Sequence, residues 1–205
     1  PIVHTCGERA QRILAQILVE MGYGEQSPVR VRSEHSPNYI SDPATIDDWI
    51  RGGLIPVTNP GFIQAIGLSL PMYIGEPAMH GRFPYRTVLD RGIELACASD
   101  MHMGGDPRQT NPFFGMWCAV TRKGFGGEPV EPEEAVTIDE ALLMHTAYAA
   151  KAMKIDDRFG TLEPGKAADF IVLDRDPRTV APDELLDVKV DFVYVGGELV
   201  YEREG

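Results

Sequence analysis

Three residues that can bind a divalent metal each stand at or near the end of a strand-like segment: His4, His35 and Asp100. The carboxyl ends of parallel strands face one rim in α/β folds, so we expect the three side chains to lie together. Two imidazoles and a carboxylate favour Zn²⁺, with Mn²⁺ and Fe²⁺ as alternatives. Each residue alone could be structural, as a hydrogen-bonded strand end, a helix cap or a turn residue. The coincidence of all three on one expected rim favours a metal site.

Three further residues are candidates for contact with a substrate at that rim. His102 stands two residues after Asp100, His80 lies in a Gly/Pro-rich loop, and Trp117 belongs to an apolar cluster that could cap a pocket or plug a barrel mouth. His145 falls on the apolar stripe of a predicted helix, which indicates a core histidine. Glu34 precedes His35 and could orient a ligand, although strand alternation would turn it to the other face.

The elements that must position these residues alternate between strand and helix. Strands are predicted at residues 1–5, 29–35, 54–59 and 93–100. An amphipathic helix is predicted between the first two, with a buried stripe formed by Ala10, Ile13, Leu14, Ile17, Leu18 and Met21. Shorter helices are predicted at 44–51 and 83–90. This alternation predicts βα units on a parallel sheet, as in a (β/α)₈ barrel or a doubly wound fold.

The alternation breaks down after Asp100. Residues 101–132 are rich in glycine and proline and predict a long loop that lies over the rim as a lid. A helix over 138–154 follows, with Thr137 and Glu140 in capping-box spacing. The remainder is β-rich, and Gly196-Gly197 indicates a two-residue hairpin. We therefore divide the chain into 1–158, a partial barrel, and 159–205, strands of a small β-domain.

Composition excludes several classes of protein. The 205 residues carry a net charge of −12, which disfavours nucleic acid as a partner. No apolar run reaches the roughly 18 residues that cross a bilayer, and the start shows no signal-peptide pattern. Three widely spaced cysteines indicate reduced, mostly buried thiols, so we expect a cytoplasmic protein. The partner that we expect is a small-molecule substrate. Pro1 leaves three interpretations open: loss of an initiator Met, a catalytic amine, or the back part of a larger chain.

Several motifs resemble the amidohydrolase superfamily, and most closely its third amidohydrolase family of metal-dependent hydrolases with a TIM-barrel fold. His-Thr-Cys-Gly-Glu-Arg-Ala, which begins at His4, is similar to the family's His-Ala-Ile-Gly-Asp-Arg-Ala. Ser-Glu-His, ending at His35, resembles Ile-Glu-His, and Ala-Ser-Asp, ending at Asp100, resembles Gly-Ser-Asp. The run from Gly160 to Asp169 matches the tail motif Gly-Ser-Leu-Glu-Pro-Gly-Lys-x-Ala-Asp almost throughout. The resemblance covers essentially the whole chain.

The resemblance implies a role for each candidate ligand. His4 and His35 would bind metal from the fifth and sixth barrel strands. Asp100, on the eighth, would touch the metal and take a proton from the attacking water. The His-x-His pair of the family's first strand and its carboxylated Lys or Glu have no counterpart here. The chain therefore resembles the C-terminal half of a (β/α)₈ barrel with part of a small β-sandwich tail domain.

The leading hypothesis is a metal-dependent hydrolase that cleaves an amide or cyclic amide C–N bond. A deaminase on the same scaffold and a non-catalytic half-barrel module are the alternatives. We expect the chain alone to have little or no activity, because His4, His35 and Asp100 supply only part of the family's ligand set. We also expect its open strand edge to be covered, either by a second copy or by a missing N-terminal half.

Overall fold

Four short parallel strands form the sheet that carries the candidate site. A computed structural model of the protein describes residues 1–75, 79–101 and 106–204. The strands follow one another across the sheet in chain order: β1 (Ile2–His4), β2 (Arg32–Glu34), β3 (Ile55–Thr58) and β4 (Ala96–Cys97). All three neighbouring pairs are parallel. The predicted fold class, half of an eight-stranded barrel, is confirmed, and each predicted strand contains an observed, shorter one.

Helices connect these strands and follow the last of them. In chain order they are α1 (Glu8–Glu20), α2 (Ala44–Gly52), α3 (Gly61–Ile66), α4 (Leu70–Ile74), α5 (Tyr85–Asp90), α6 (Pro112–Thr121), α7 (Ile138–His145) and α8 (Ala147–Met153). The core between helices and sheet includes fully buried Trp49, Phe83 and Phe114. No described helix is long and apolar enough to cross a membrane.

A small antiparallel sheet follows, made of β5 (Phe170–Leu173), β6 (Val190–Val195) and β7 (Glu198–Glu202) in that order. Gly196 and Gly197 join β6 to β7, and both have positive φ (60° and 84°). A two-residue hairpin loop that follows the strand twist requires this conformation, so the glycines suit it. The hairpin prediction is confirmed, whereas the division between 1–158 and 159–205 stays a prediction.

The segment 101–132 is not the uniform loop that was predicted. Residues 112–121 form α6, and Phe113, Phe114, Met116 and Cys118 of this helix are buried in the core. The Asn111 side chain accepts a hydrogen bond from the Phe113 N–H (3.0 Å), and proline follows it, which together start a helix. Burial raises the pKa of the Cys118 thiol to about 12. A lid made of the whole segment is therefore wrong.

The single helix predicted over 138–154 is two helices, α7 and α8. The capping box of Thr137 and Glu140 is present as predicted. At Thr146 the backbone leaves the helical region (φ −124°, ψ −91°), and the Thr146 hydroxyl donates to the Leu142 carbonyl (2.7 Å). A threonine hydroxyl that bonds the carbonyl four residues back is known to bend helices, which accounts for the break.

The buried stripe predicted for α1 holds for Leu18 and in part for Leu14, and it is wrong for the other four residues. The buried residues are Gln11, Ala15 and Leu18, whereas Ile13 and Ile17 are each 45% exposed and Met21 is 63% exposed. The reason is position: α1 packs beside α2, and β1, which precedes it, is an edge strand. The chain thus leaves an apolar surface uncovered. Cys6 at this end is exposed as well, contrary to the expectation of buried thiols.

Candidate metal centre

The structure brings His4, His35 and Asp100 together at the carboxyl edge of the parallel sheet. His4 is the last residue of β1, His35 follows β2, and Asp100 comes three residues after β4. The two imidazole rings meet edge to face with their centroids 4.4 Å apart. His35 Nδ1 lies 3.5 Å from Asp100 Oδ2. His35 is 8% exposed and stacks on Phe62, while His4, on the edge strand, is exposed.

Buried hydroxyl groups tie the ends of β1 and β2 beneath the two histidines. The hydroxyls of Thr5 and Ser33 are hydrogen-bonded, and Ser33 is 2.6 Å from the Ser36 hydroxyl. From α1, Gln11 Nε2 donates to the carbonyls of Thr5 (3.2 Å) and His35 (3.0 Å). One buried amide therefore fixes the backbone beside both imidazoles. The sequence did not predict this role of Gln11, because Gln11 lies within a predicted helix and not at the end of a predicted strand.

Asn59 contacts His35 from the end of β3 and was not predicted as a site residue. Its Oδ1 is 2.8 Å from His35 Nδ1, and its Nδ2 donates to the Ala98 carbonyl (3.1 Å). Asn59 is 1% exposed, so these bonds are made inside the protein. A signal was present in the sequence, because Asn59 ends the third predicted strand and so belongs to the same rim.

The backbone is unusual at two of the three candidate ligands. His35 has φ 64° and Asp100 has φ 45°, in the left-handed region that residues other than glycine adopt uncommonly. Such conformations cost free energy and cluster at functional sites, where the surrounding structure holds them. At His35 the holding contacts are the bonds to Asn59 and Gln11 described above. This backbone strain is an observation in favour of a functional role at this rim.

The nitrogen and oxygen ligands at this rim are of the kinds that bind a divalent metal, but they form only part of a metal site. Imidazole nitrogen and carboxylate oxygen are usual ligands of Zn²⁺ and similar ions. Within residues 1–75, 79–101 and 106–204, no three His, Cys, Asp or Glu side chains are grouped as ligands of one ion. His4, His35 and Asp100 are therefore neighbours that could contribute to a metal centre, and the remaining ligands would come from elsewhere.

The other predicted site residues lie in different surroundings. His80 is exposed and lines a surface cavity with Glu131 and Glu134. Trp117 stacks on Phe114, and its indole N–H donates to Asp183 (3.1 Å) in the 3₁₀ segment Pro182–Asp187. His102 lies outside the described residues. Contact of these three residues with a substrate stays a prediction.

Two further interpretations can be checked directly. His145 Nδ1 is 2.9 Å from the Ala141 carbonyl, and burial lowers the pKa of the imidazole, as expected for a histidine of the protein interior. Glu34 pairs with Arg32 on the same strand, and these two residues alternate with the buried Ser33. Strand alternation therefore turns Glu34 away from the buried hydroxyls beneath the histidines.

Comparison with known proteins gives consistent matches. A family model described as amidohydrolase family matches residues 26–201. An N-substituted formamide deformylase of Arthrobacter pascens is 42% identical over 204 residues, which are 99% of this chain and 36% of that protein. A 5-methylthioadenosine/S-adenosylhomocysteine deaminase of Moorella thermoacetica is 32% identical over 120 residues, 56% of this chain and 25% of that protein.

A solved structure supports the fold. An uncharacterized metal-dependent hydrolase of Pyrococcus horikoshii superposes with a TM-score of 0.71 at 22% identity, covering 89% of this chain and 35% of that one. The chain therefore spans about a third of the length of the deformylase and of this hydrolase.

Proposed function

This chain belongs to the amidohydrolase family, and we propose that it supplies part of the active site of a metal-dependent hydrolase that cleaves C–N bonds. The observation that carries the proposal is the cluster of His4, His35 and Asp100 at one edge of the parallel sheet. The extent of the family match, residues 26–201, supports the same reading.

The substrate class that we propose is an N-substituted formamide, a secondary amide. The support is the 42% identity with a formamide deformylase over nearly the whole chain. In this reaction water adds to the formyl carbon, the C–N bond breaks, and the nitrogen leaves as an amine after it gains a proton. The products are formate and the amine, so no oxidant or reductant is needed.

The residues of the rim have distinct proposed tasks. His4 and His35 would hold the metal, and Zn²⁺ is the ion we propose. A divalent metal, when bound, polarises the substrate carbonyl and makes water a better nucleophile at neutral pH. Asp100 would accept the proton of the attacking water and pass it to the departing nitrogen. On its own the chain is proposed to have little or no activity, because these residues form only part of a ligand set.

Hydrolytic deamination is the second candidate function. It is supported by the 32% identity with a deaminase over 120 residues of this chain. The chemistry is related, because water again displaces nitrogen from carbon, but the nitrogen leaves as ammonia. A non-catalytic half-barrel is the third candidate, and it would need no metal at His4, His35 and Asp100.

Product analysis distinguishes the three candidates. Together with the polypeptide that completes its ligand set, the chain is expected to contain zinc and to release formate and amine in equal amounts from an N-alkyl formamide, which enzymatic formate detection and metal analysis would measure. A His35→Gln variant of that completed protein should lose both metal and turnover. Release of ammonia from an amino-substituted ring would favour the deaminase instead. Absence of both metal and turnover in the completed protein would favour the non-catalytic module.

We further propose that the open edge of the sheet is covered by another polypeptide, either a second copy or an N-terminal half of the barrel. β1 pairs with β2 on one side only, and Ile2 is 65% exposed. Ile13 and Ile17 of α1, the helix that follows β1, are exposed as well. Proteins usually cover bare strand edges and exposed apolar side chains.

Charges on this surface are therefore expected to disrupt association. The double substitution Ile13→Glu and Ile17→Glu should lower the molar mass measured by size-exclusion chromatography with light scattering, because burial of two carboxylates in an apolar contact is costly. Leu162→Glu, at a residue 70% exposed in the tail, is the matched control and should leave the mass unchanged. An unchanged mass in the double variant would contradict this contact surface.

A further inference from the structure

We infer that Asn59 is a positioning residue that holds the His35 imidazole in the tautomer with hydrogen on Nδ1 and the lone pair on Nε2. The inference deepens the proposed function and rests on it in one respect, that His35 uses Nε2 as a metal ligand. Nothing in the resemblance between this chain and its relatives assigned a role to Asn59. The contacts of its amide carry the inference.

The orientation of the Asn59 amide is fixed by chemistry. A carbonyl oxygen can only accept a hydrogen bond, so the amide atom 3.1 Å from the Ala98 carbonyl must be the NH₂ group. The other amide atom, Oδ1, therefore faces His35 Nδ1 at 2.8 Å. An amide oxygen cannot donate, and Nδ1 must supply the hydrogen of this bond.

Asp100 reinforces the same assignment. Its Oδ2 lies 3.5 Å from His35 Nδ1, so a second acceptor faces that nitrogen. Both groups near Nδ1 thus favour a hydrogen on it. In a neutral imidazole one nitrogen donates and the other accepts, which leaves Nε2 with the lone pair. A metal ligand needs that lone pair, and its ring is commonly oriented by a bond at the other nitrogen.

Asn59 also joins the ends of three strands. It stands directly after β3, bonds His35 after β2, and bonds Ala98 after β4. Ala98 lies two residues before Asp100. The buried amide therefore sets the position of His35 relative to the loop that carries Asp100. With 1% of its surface exposed, Asn59 has little contact with water, which could otherwise replace these bonds.

The tautomer can be measured without metal or activity. Metal-free protein labelled with ¹⁵N-histidine is expected to show the Nδ1–H form of His35, with its signals assigned from their loss in His35→Gln. In Asn59→Leu the Nδ1 acceptor is gone and we expect a mixture of tautomers. Asn59→Asp keeps an acceptor oxygen for Nδ1 but loses the donor to the Ala98 carbonyl, and it should retain the Nδ1–H form. Thr58→Val is the matched control, because the Thr58 hydroxyl bonds Tyr85 rather than the histidine.

Zinc affinity is the second readout, measured by titration with Zn²⁺ alone against a competing chelator. Loss of an outer partner of a metal-binding histidine commonly weakens metal binding by about 10- to 100-fold, and we expect this for Asn59→Leu. Thr58→Val should bind zinc as the wild type does. Asn59→Ser, whose hydroxyl is too short to reach Nδ1, repeats the test with a smaller change if the leucine variant does not fold.

The outcomes separate this inference from the proposed function. Unchanged His35 tautomer, or unchanged zinc affinity, in Asn59→Leu and Asn59→Ser would overturn the role of Asn59. If the wild type binds no zinc, either alone or with the polypeptide that completes its ligand set, the proposed metal-dependent function fails. The tautomer then decides alone whether Asn59 positions His35. A shift of both tautomer and affinity in Asn59→Leu, with the Nδ1–H form retained in Asn59→Asp, is the expected result.

Discussion

Asp100→Asn is expected to lower kcat/KM for an N-substituted formamide by about 10²- to 10⁴-fold, the usual contribution of general acid–base catalysis, once the chain is joined by the polypeptide that completes its ligand set. The asparagine has nearly the same shape but cannot accept a proton from water at neutral pH. The carboxylate lies beside His35 at the carboxyl edge of the sheet. Its backbone is held at φ 45°, so the side chain is placed by the fold.

Kinetics and metal content of the Asp100→Asn protein should be measured together. A large loss of turnover with metal retained is the signature of a lost proton acceptor, whereas loss of metal would show that Asp100 acts mainly as a ligand. Asp106→Asn is the matched control, because the Asp106 carboxylate pairs with Arg108 and accepts from its backbone N–H. The control should stay within a few-fold of wild type. Full activity in Asp100→Asn would remove this residue from the proposed mechanism.

The rim was predictable because it depends on local patterns. Apolar and β-branched runs place strand ends, and the carboxyl ends of parallel strands share an edge, so His4, His35 and Asp100 could be grouped before any coordinates. Asn59 also ends a predicted strand and could be placed at the rim, but the hydrogen-bond partners of Asn59 and Gln11 could not be predicted in this way. Gln11 and Asn59 act through hydrogen bonds to segments distant in the chain. Such bonds depend on tertiary packing, which residue spacing does not encode.

Two errors in the predicted fold each have a physical source. Composition suggested a loop over 101–132, but α6 begins at an asparagine cap followed by proline, a local signal that outweighs glycine content over a long window. The periodicity of α1 did predict a helix, and it mispredicted which face is buried. Periodicity reports the apolar residues of a helix, and burial depends on which neighbours are present. At the edge of a half-barrel the apolar face of a helix and its buried face therefore differ, as exposed Ile13 and Ile17 show.

Glu131→Gln is expected to lower the free energy of unfolding by about 3–5 kcal/mol, the range found when a buried ion pair loses one partner. Glu131 pairs with Arg82 at 2.9 Å, with their side chains 8% and 9% exposed. Its two oxygens also accept from the backbone N–H groups of Gly81 and Arg82, each at 2.9 Å. Each of these bonds to the carboxylate is donated by an N–H group. A glutamine places an NH₂ group against one of these donors and leaves the guanidinium without a countercharge.

A double-mutant cycle shows whether the loss comes from this pair. Arg82→Met removes the unpaired cation, so Arg82→Met with Glu131→Gln should be less destabilised than the sum of the single variants, by about 0.5–3 kcal/mol. Urea denaturation of the four proteins measures this coupling. Glu128→Gln makes the same change at an exposed residue and should stay within about 0.5 kcal/mol of wild type. Additive effects would mean that Glu131 acts through the Gly81 and Arg82 backbone alone.

Because Arg122 donates to the carbonyls of Arg82 and Phe83, a loosened Glu131 should also expose the segment after α6 to faster hydrogen exchange.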